Sequence, residues 1–481
     1  MIRTSFLTRP AYALALGLAT VAGAGLIANP AMAEEKKDKK KKDEKQAKLA
    51  PSKAFTPVYI ATRDTIDKAG KRPDVVAAKA NVTTMESAYR AAQGRSAREA
   101  AKAAYDKSVA DLGNLLVAEK AVVADAFTKV QIEDDRLFAG QFALDLGNIA
   151  LDKGLQRQGL DAMLASGKLP AANVPKYYYF VGGLAYDLKD YAGAATALQS
   201  AIANGYTDAS AKTLLAEAQY NGGQRAEGLA TLKALVQETK AAGQPVPAEW
   251  LDRGVQMSYS AKLAAESMEW ATLRLDSYPG EFNWISAAQI VREKANYGSN
   301  DAIDVSRLLD RAGALKSNTQ SAQREYIEYL QSAVGKAGVL FPGEVVKVVN
   351  QGLAVKALDA TDPFVRDALA EAQRRVAPDK ATLPGLEKDA RAANATARTA
   401  MIAADTFLSY DMNEKAADLY AIALAKPGVD AAAANLRLGI ALLAQGKSAE
   451  AQAAFAKVDG PRAPLAKLWA VLAAGKVVNG A

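Results

Sequence analysis

Trp250 and Trp284 stand 34 residues apart, and each opens a similar apolar, small-residue stretch. The same interval separates Gly182 from Ala216, Ala194 from Gly228 and Leu198 from Leu232. A fixed period of this length constrains the fold more than any single residue does. It marks a helix-turn-helix unit that cannot bury its apolar face alone and buries it by stacking on its neighbours. Chains built this way hold partners along an extended surface.

The unit is plainest from Lys176 to Tyr206. Tyr178, Val181, Gly182 and Ala185 follow at steps of three, one and three, which places them on one helical face. A turn at Lys189-Asp190-Tyr191 precedes a second helix carrying Ala194, Leu198 and Ala201. Gly182 and Ala194 are small where two antiparallel helices must approach, and Leu198 fills the space beside them. Leu215, Ala216, Gly228, Leu232 and Leu235 repeat the pattern, as do Trp250, Gly254, Trp270 and Pro279, with Glu266 where a small residue is usual. Leu144, Leu151, Leu160 and Leu164 repeat it more weakly upstream, and Trp284, Ala287 and Ala288 begin a further unit. Near the C-terminus Ala403, Ala404, Phe407, Ala416, Tyr420 and Ala423 are followed 35 residues later by Leu438, Gly439, Leu442, Ala451, Phe455 and Val458.

These positions resemble the tetratricopeptide repeat family, and the resemblance puts Tyr178 at the buried large position of the repeat. The resemblance implies an all-α fold, a right-handed α-α superhelix of helix-turn-helix repeats whose first helices line a concave groove. It divides the chain into a helical N-terminal region (57–135), a first repeat array (136–296), degenerate helical repeats (297–391) and a C-terminal repeat pair with a capping helix (392–475). Within the N-terminal region, Ala97 to Phe127 reads as the longest helix. Glu325 to Ser332 and Pro342 to Lys356 read as a helical pair. The segment from Ala377 to Leu386, with Pro378 and Pro384, reads as a flexible joint.

The first 33 residues read as a signal peptide. Arg3 and Arg9 give a positive start, Ala11 to Ile27 an apolar run, and Ala31-Met32-Ala33 the small-x-small cleavage pattern. Export to the periplasm of a bacterial envelope follows, with an uncleaved inner-membrane anchor as the alternative. Residues 34–56 begin with EEKKDKKKKDEKQAK and read as a disordered linker, because that run holds no aromatic or branched apolar residue to bury. Lys39 to Lys42 allow weak contact with an anionic surface; five interleaved acids favour a plain tether. Of the net charge of +7, Arg3 and Arg9 supply two and this run three, which leaves about two for the body. A body so nearly neutral lacks the clustered positive face of a nucleic-acid binder.

The chain has 0 His and 0 Cys, which removes the usual general base, the thiol nucleophile and the commonest zinc ligands. Gly446-Lys447-Ser448 lacks the earlier glycine of a phosphate-binding loop, since position 441 is Ala. Glu133-Asp134-Asp135 reads as acids at a helix N-terminus rather than as a metal site. Glu266-Ser267 resembles the catalytic pair of lytic transglycosylases, without the other segments of that family. The reading is therefore of a non-enzyme with no cofactor and no metal, a scaffold for an envelope protein or peptide. A peptidoglycan-cleaving enzyme and a structural spacer are the alternatives, and the oligomeric state stays open.

The candidate contacts are aromatic. Tyr179, Phe180, Tyr186, Tyr220, Asn221 and Tyr259 fall, by the resemblance, on the groove side of consecutive first helices. Tyr offers a broad apolar face and a hydroxyl at small entropic cost. Packing against the neighbouring repeat is the competing use of the same residues. The Lys and Asn clamp by which some relatives of this fold grip a terminal carboxylate is missing, its positions being held by Tyr179, Gly183, Leu214, Ala248 and Asp252.

Overall fold

The computed structural model describes residues 49–478 except 296, 298, 336 and 337, so the expected signal segment and the lysine-rich run lie outside the described residues. Among the described residues there are helices and turns and no strand. The first four helices are α1 (Thr56–Ala69), α2 (Pro73–Ala91), α3 (Arg95–Asn114) and α4 (Val117–Thr128). Helix α1 packs on α4, while α2 and α3 pack on each other as a hairpin. The helix expected from Ala97 to Phe127 is broken. Leu115 and Leu116 leave helical register, and burial of Leu116 lets α4 turn back onto α1.

The linker also ends earlier than expected. Phe55 is fully buried, and Ser52 donates through its backbone N–H and its hydroxyl to the two Asp135 oxygens, each at 2.8 Å. An aromatic side chain and a buried carboxylate partner are enough to dock residues that the linker bounds 34–56 include.

Eight helices follow in antiparallel pairs: α5 (Glu133–Ala150) with α6 (Lys153–Ala165), α7 (Val174–Asp187) with α8 (Tyr191–Ala203), α9 (Ala209–Asn221) with α10 (Arg225–Ala241), and α11 (Ala248–Ser260) with α12 (Ala264–Ser277). The spacing that revealed the repeat is a packing rule. A Cβ on Gly182 would lie 2.5 Å from Leu198, and one on Gly254 would lie 2.1 Å from the Trp270 ring, so only glycine lets the large residue 16 positions on lie flat against its partner helix. The buried aromatic at the head of α7 is Tyr177, however, and Tyr178 is only half-buried. Tyr177, Val181 and Leu184 stand at i, i+4 and i+7, the true core stripe of that helix.

The remaining helices are α13 (Glu281–Ala295), α14 (Ser299–Arg311), α15 (Gln320–Val334), α16 (Pro342–Ala354), α17 (Pro363–Arg391), α18 (Ala397–Ser409), α19 (Asn413–Leu424), α20 (Ala431–Ala444), α21 (Ser448–Phe455) and α22 (Ala463–Ala473), with a single 3-10 turn at Gly460–Arg462. No joint interrupts α17. Its two internal prolines are exposed, so the carbonyls they leave unpaired face water, and buried Val365, Ala372, Leu383 and Ala390 hold both ends down.

Each of these helices packs on the next, but the series does not stay open. Helix α22 returns to pack on α12, α13 and α14, and the Val478 N–H donates to the Ala312 carbonyl at 3.0 Å. One apolar cluster runs from Ala271 to Ala473 as a result. The described residues form an all-α helical solenoid whose C-terminal turn closes on itself. Helix α14 lies within that closure: Ile303 to Leu309 are all buried, which a helix shows only when it is covered on every side.

Candidate functional site

The six residues read as groove contacts sit on the first helices of three consecutive pairs: Tyr179, Phe180 and Tyr186 on α7, Tyr220 and Asn221 on α9, and Tyr259 on α11. The five aromatics are half-buried and Asn221 is exposed. The hydroxyls of Tyr186, Tyr220 and Tyr259 are engaged within the chain. Tyr186 donates to Glu217 Oε2 at 2.9 Å, and Arg253 from α11 meets the other oxygen of Glu217 at 3.0 Å. Asn221 donates its amide to the Tyr186 oxygen at 2.9 Å. Tyr220 donates to the Met257 carbonyl at 2.9 Å, and Tyr259 to Glu293 Oε2 at 2.8 Å.

These bonds form a ladder from α7 to α13, each rung joining one first helix to the next. The hydrogen bond to Glu293 pushes the Tyr259 phenol up, and Lys294 and then Tyr259 hold the Glu293 carboxyl down. Lys294 Nζ also lies 4.4 Å above the Tyr259 ring centroid, within cation–π range. Tyr179 stacks on Tyr206 with centroids 4.6 Å apart, and Lys176 lies 5.5 Å over the Phe180 ring. This face thus presents five half-buried aromatic residues and exposed Asn221. At Tyr186, Tyr220 and Tyr259 the hydroxyl packs one repeat on the next, and each residue as a whole stays partly accessible.

The other constellations resolve locally. Ser267 is fully buried and donates its hydroxyl to the Leu263 carbonyl at 2.6 Å, a turn back along its own helix, so it does not pair with half-buried Glu266. Gly446 and Lys447 lie in the turn between α20 and α21, and Ser448 opens α21. Glu133, Asp134 and Asp135 open α5. Burial would raise Asp135, but Ser52 and the backbone N–H groups of Gln131 and Ile132 donate to it and hold it below the usual carboxylate range. Among the described residues no group of acidic side chains converges to hold a metal, and no helix is long and apolar enough to cross a membrane.

Sequence reasoning missed a second constellation, around α14. Arg307 binds Glu344 of α16 through two nitrogens, at 2.8 and 2.7 Å, and Asp304 of its own helix at 2.9 Å. Arg437 of α20 reaches Asp304 and Asp405, each at 2.9 Å. Tyr329 donates to Glu344 at 2.7 Å and Tyr420 to Asp405 at 2.6 Å. Arg462 in the 3-10 turn binds Asp301 at 2.8 Å. Burial alone would lower Arg307 and Arg437, and their acidic neighbours keep both guanidinium groups charged. The available signal was the spacing of Asp301, Asp304 and Arg307 at three-residue steps, which reads equally well as a solvated stripe.

Fold and site define the class, a helical-repeat solenoid. No family model matches the chain, and no curated protein matches it. Among solved structures, a chain in the structure of Naa15/Naa10 bound to HypK-THB aligns with 86% of this chain and 70% of its own at 13% identity, with a TM-score of 0.25. A score that low bears on neither detailed shape nor function.

Proposed function

We propose that this chain is a non-catalytic interaction scaffold of tetratricopeptide type, exported to a bacterial envelope, that binds a protein or peptide segment across α7, α9 and α11. The observation that supports it is the run of half-exposed aromatic rings on three consecutive first helices, in a solenoid whose other turn is closed and filled. The rings of Tyr186, Tyr220 and Tyr259, already held by hydroxyl bonds, lose little freedom on contact, which suits them to recognition. Export rests on the sequence pattern of residues 1–33 alone.

Site-specific photocrosslinking in intact cells tests this reading. A crosslinker at Phe180 or Gly183 is expected to capture one common partner, and one at exposed Ala230 on α10 is expected to capture none. Equal capture from all three positions, or none from any, overturns the proposal.

A further inference from the structure

Helix α14 differs from the other helices of the solenoid in how completely it is covered: Ile303 to Leu309 are all buried, and α22 packs on it in addition to its chain neighbours α13 and α15. It is held in place by charge supplied from separate elements: Glu344 of α16, Arg437 of α20 and Arg462 of the 3-10 turn, which are 37, 133 and 161 residues from their partners on α14. Solenoid cores ordinarily bury apolar surface between successive units. Buried ion pairs add little net stability over apolar packing, and their best-attested contribution is selection of partner and register. The fit also retains interface character. A cavity of about 20 Å³, the size of one water, lies between Arg307 and Arg311 on one side and Glu344 and Lys347 on the other. The buried Ser306 hydroxyl on α14 has no hydrogen-bond partner among the described residues.

We propose that α14 is an intramolecular ligand, and that the interior of the C-terminal turn is a recognition site for an amphipathic helix with Asp at two positions three residues apart and Arg three residues further on. In the resting molecule α14 occupies that site and excludes any partner helix with the same charge pattern. The inference is independent of the aromatic face on α7, α9 and α11, so each can fail without the other.

The test uses a fluorescent peptide with the sequence of residues 299–315 and the full-length chain. Leu308→Ala trims a fully buried contact of α14 and weakens its hold on the interior. The peptide is expected to bind this variant at least tenfold tighter than it binds the wild type. A peptide in which the residues matching Asp304 and Arg307 are exchanged is expected not to bind. Equal binding to variant and wild type would place the peptide on the outer surface and overturn the proposal, and so would no binding to a variant whose helical circular dichroism is intact. Should Leu308→Ala fail to fold, Asp301→Asn, which loosens only the Arg462 pair, is read by the same criteria.

Discussion

Six helix pairs, α5/α6, α7/α8, α9/α10, α11/α12, α18/α19 and α20/α21, turn through a left-handed residue two positions before their second helix. Gly223 and Gly446 fill that place in two of them, and Leu151, Lys189, Lys262 and Asp411 fill it in the others. A side chain there carries about 1–2 kcal/mol of steric strain, against about 0.4–1 kcal/mol that glycine loses through a freer unfolded chain. Lys189→Gly and Lys262→Gly are each expected to stabilise the protein by about 0.5–1 kcal/mol, read as a higher urea midpoint at unchanged slope. Both lysines are exposed, so no packing is lost. An unchanged or lower midpoint would show that these turns are not strained. At this scale the sequence was legible where a residue serves a single purpose. Gly182 with Leu198 and Gly254 with Trp270 are recognisable from spacing because only glycine permits the contact. The tyrosines were half legible, since a helix phase says which way a ring faces and not what its hydroxyl reaches in the next repeat.

Helix α14 shows what periodicity misses. Its charges at three-residue steps describe one face, and a solvated face and a buried charged face give the same string. What separates them is whether Glu344, Arg437 and Arg462 arrive from far along the chain, which no local pattern encodes. Helix α17 fails for the opposite reason: prolines that break an isolated helix are tolerated where its ends are docked and the unpaired carbonyls meet water. The buried network makes a definite energetic prediction. Arg437→Met leaves buried Asp304 and half-buried Asp405 without that cation and is expected to cost about 3–5 kcal/mol. Arg437→Lys should recover less than half, because a single ammonium cannot reach both carboxylates as the guanidinium fork does. Denaturant melts of the two variants against wild type measure both. Full recovery by lysine would mean that net charge matters and the fork does not.

An open solenoid is quasi-one-dimensional, so removing its last helices loosens only the units next to them. A turn closed by α22 behaves differently. Helix α22 covers α12, α13 and α14, more than 150 residues earlier in the chain, and its removal takes away one wall around α14 together with the Val478 bond to Ala312. A chain ending after Lys457 also loses Arg462 and with it the partner of Asp301. Hydrogen exchange on this truncated chain should show protection in α13 and α14 falling by at least tenfold, a local opening cheaper by about 1.4 kcal/mol or more. Protection in α7 to α10 should stay as it is in the full chain, because those pairs pack on one another and on α6 and α11 rather than on the lost elements. Loss confined to α20 and α21 would mean that the contact with α22 closes the turn in space without coupling its ends. Loss in α13 and α14 would show that the two ends of the C-terminal turn are coupled through α22, with the first array left as the separately ordered surface on which the aromatic face is built.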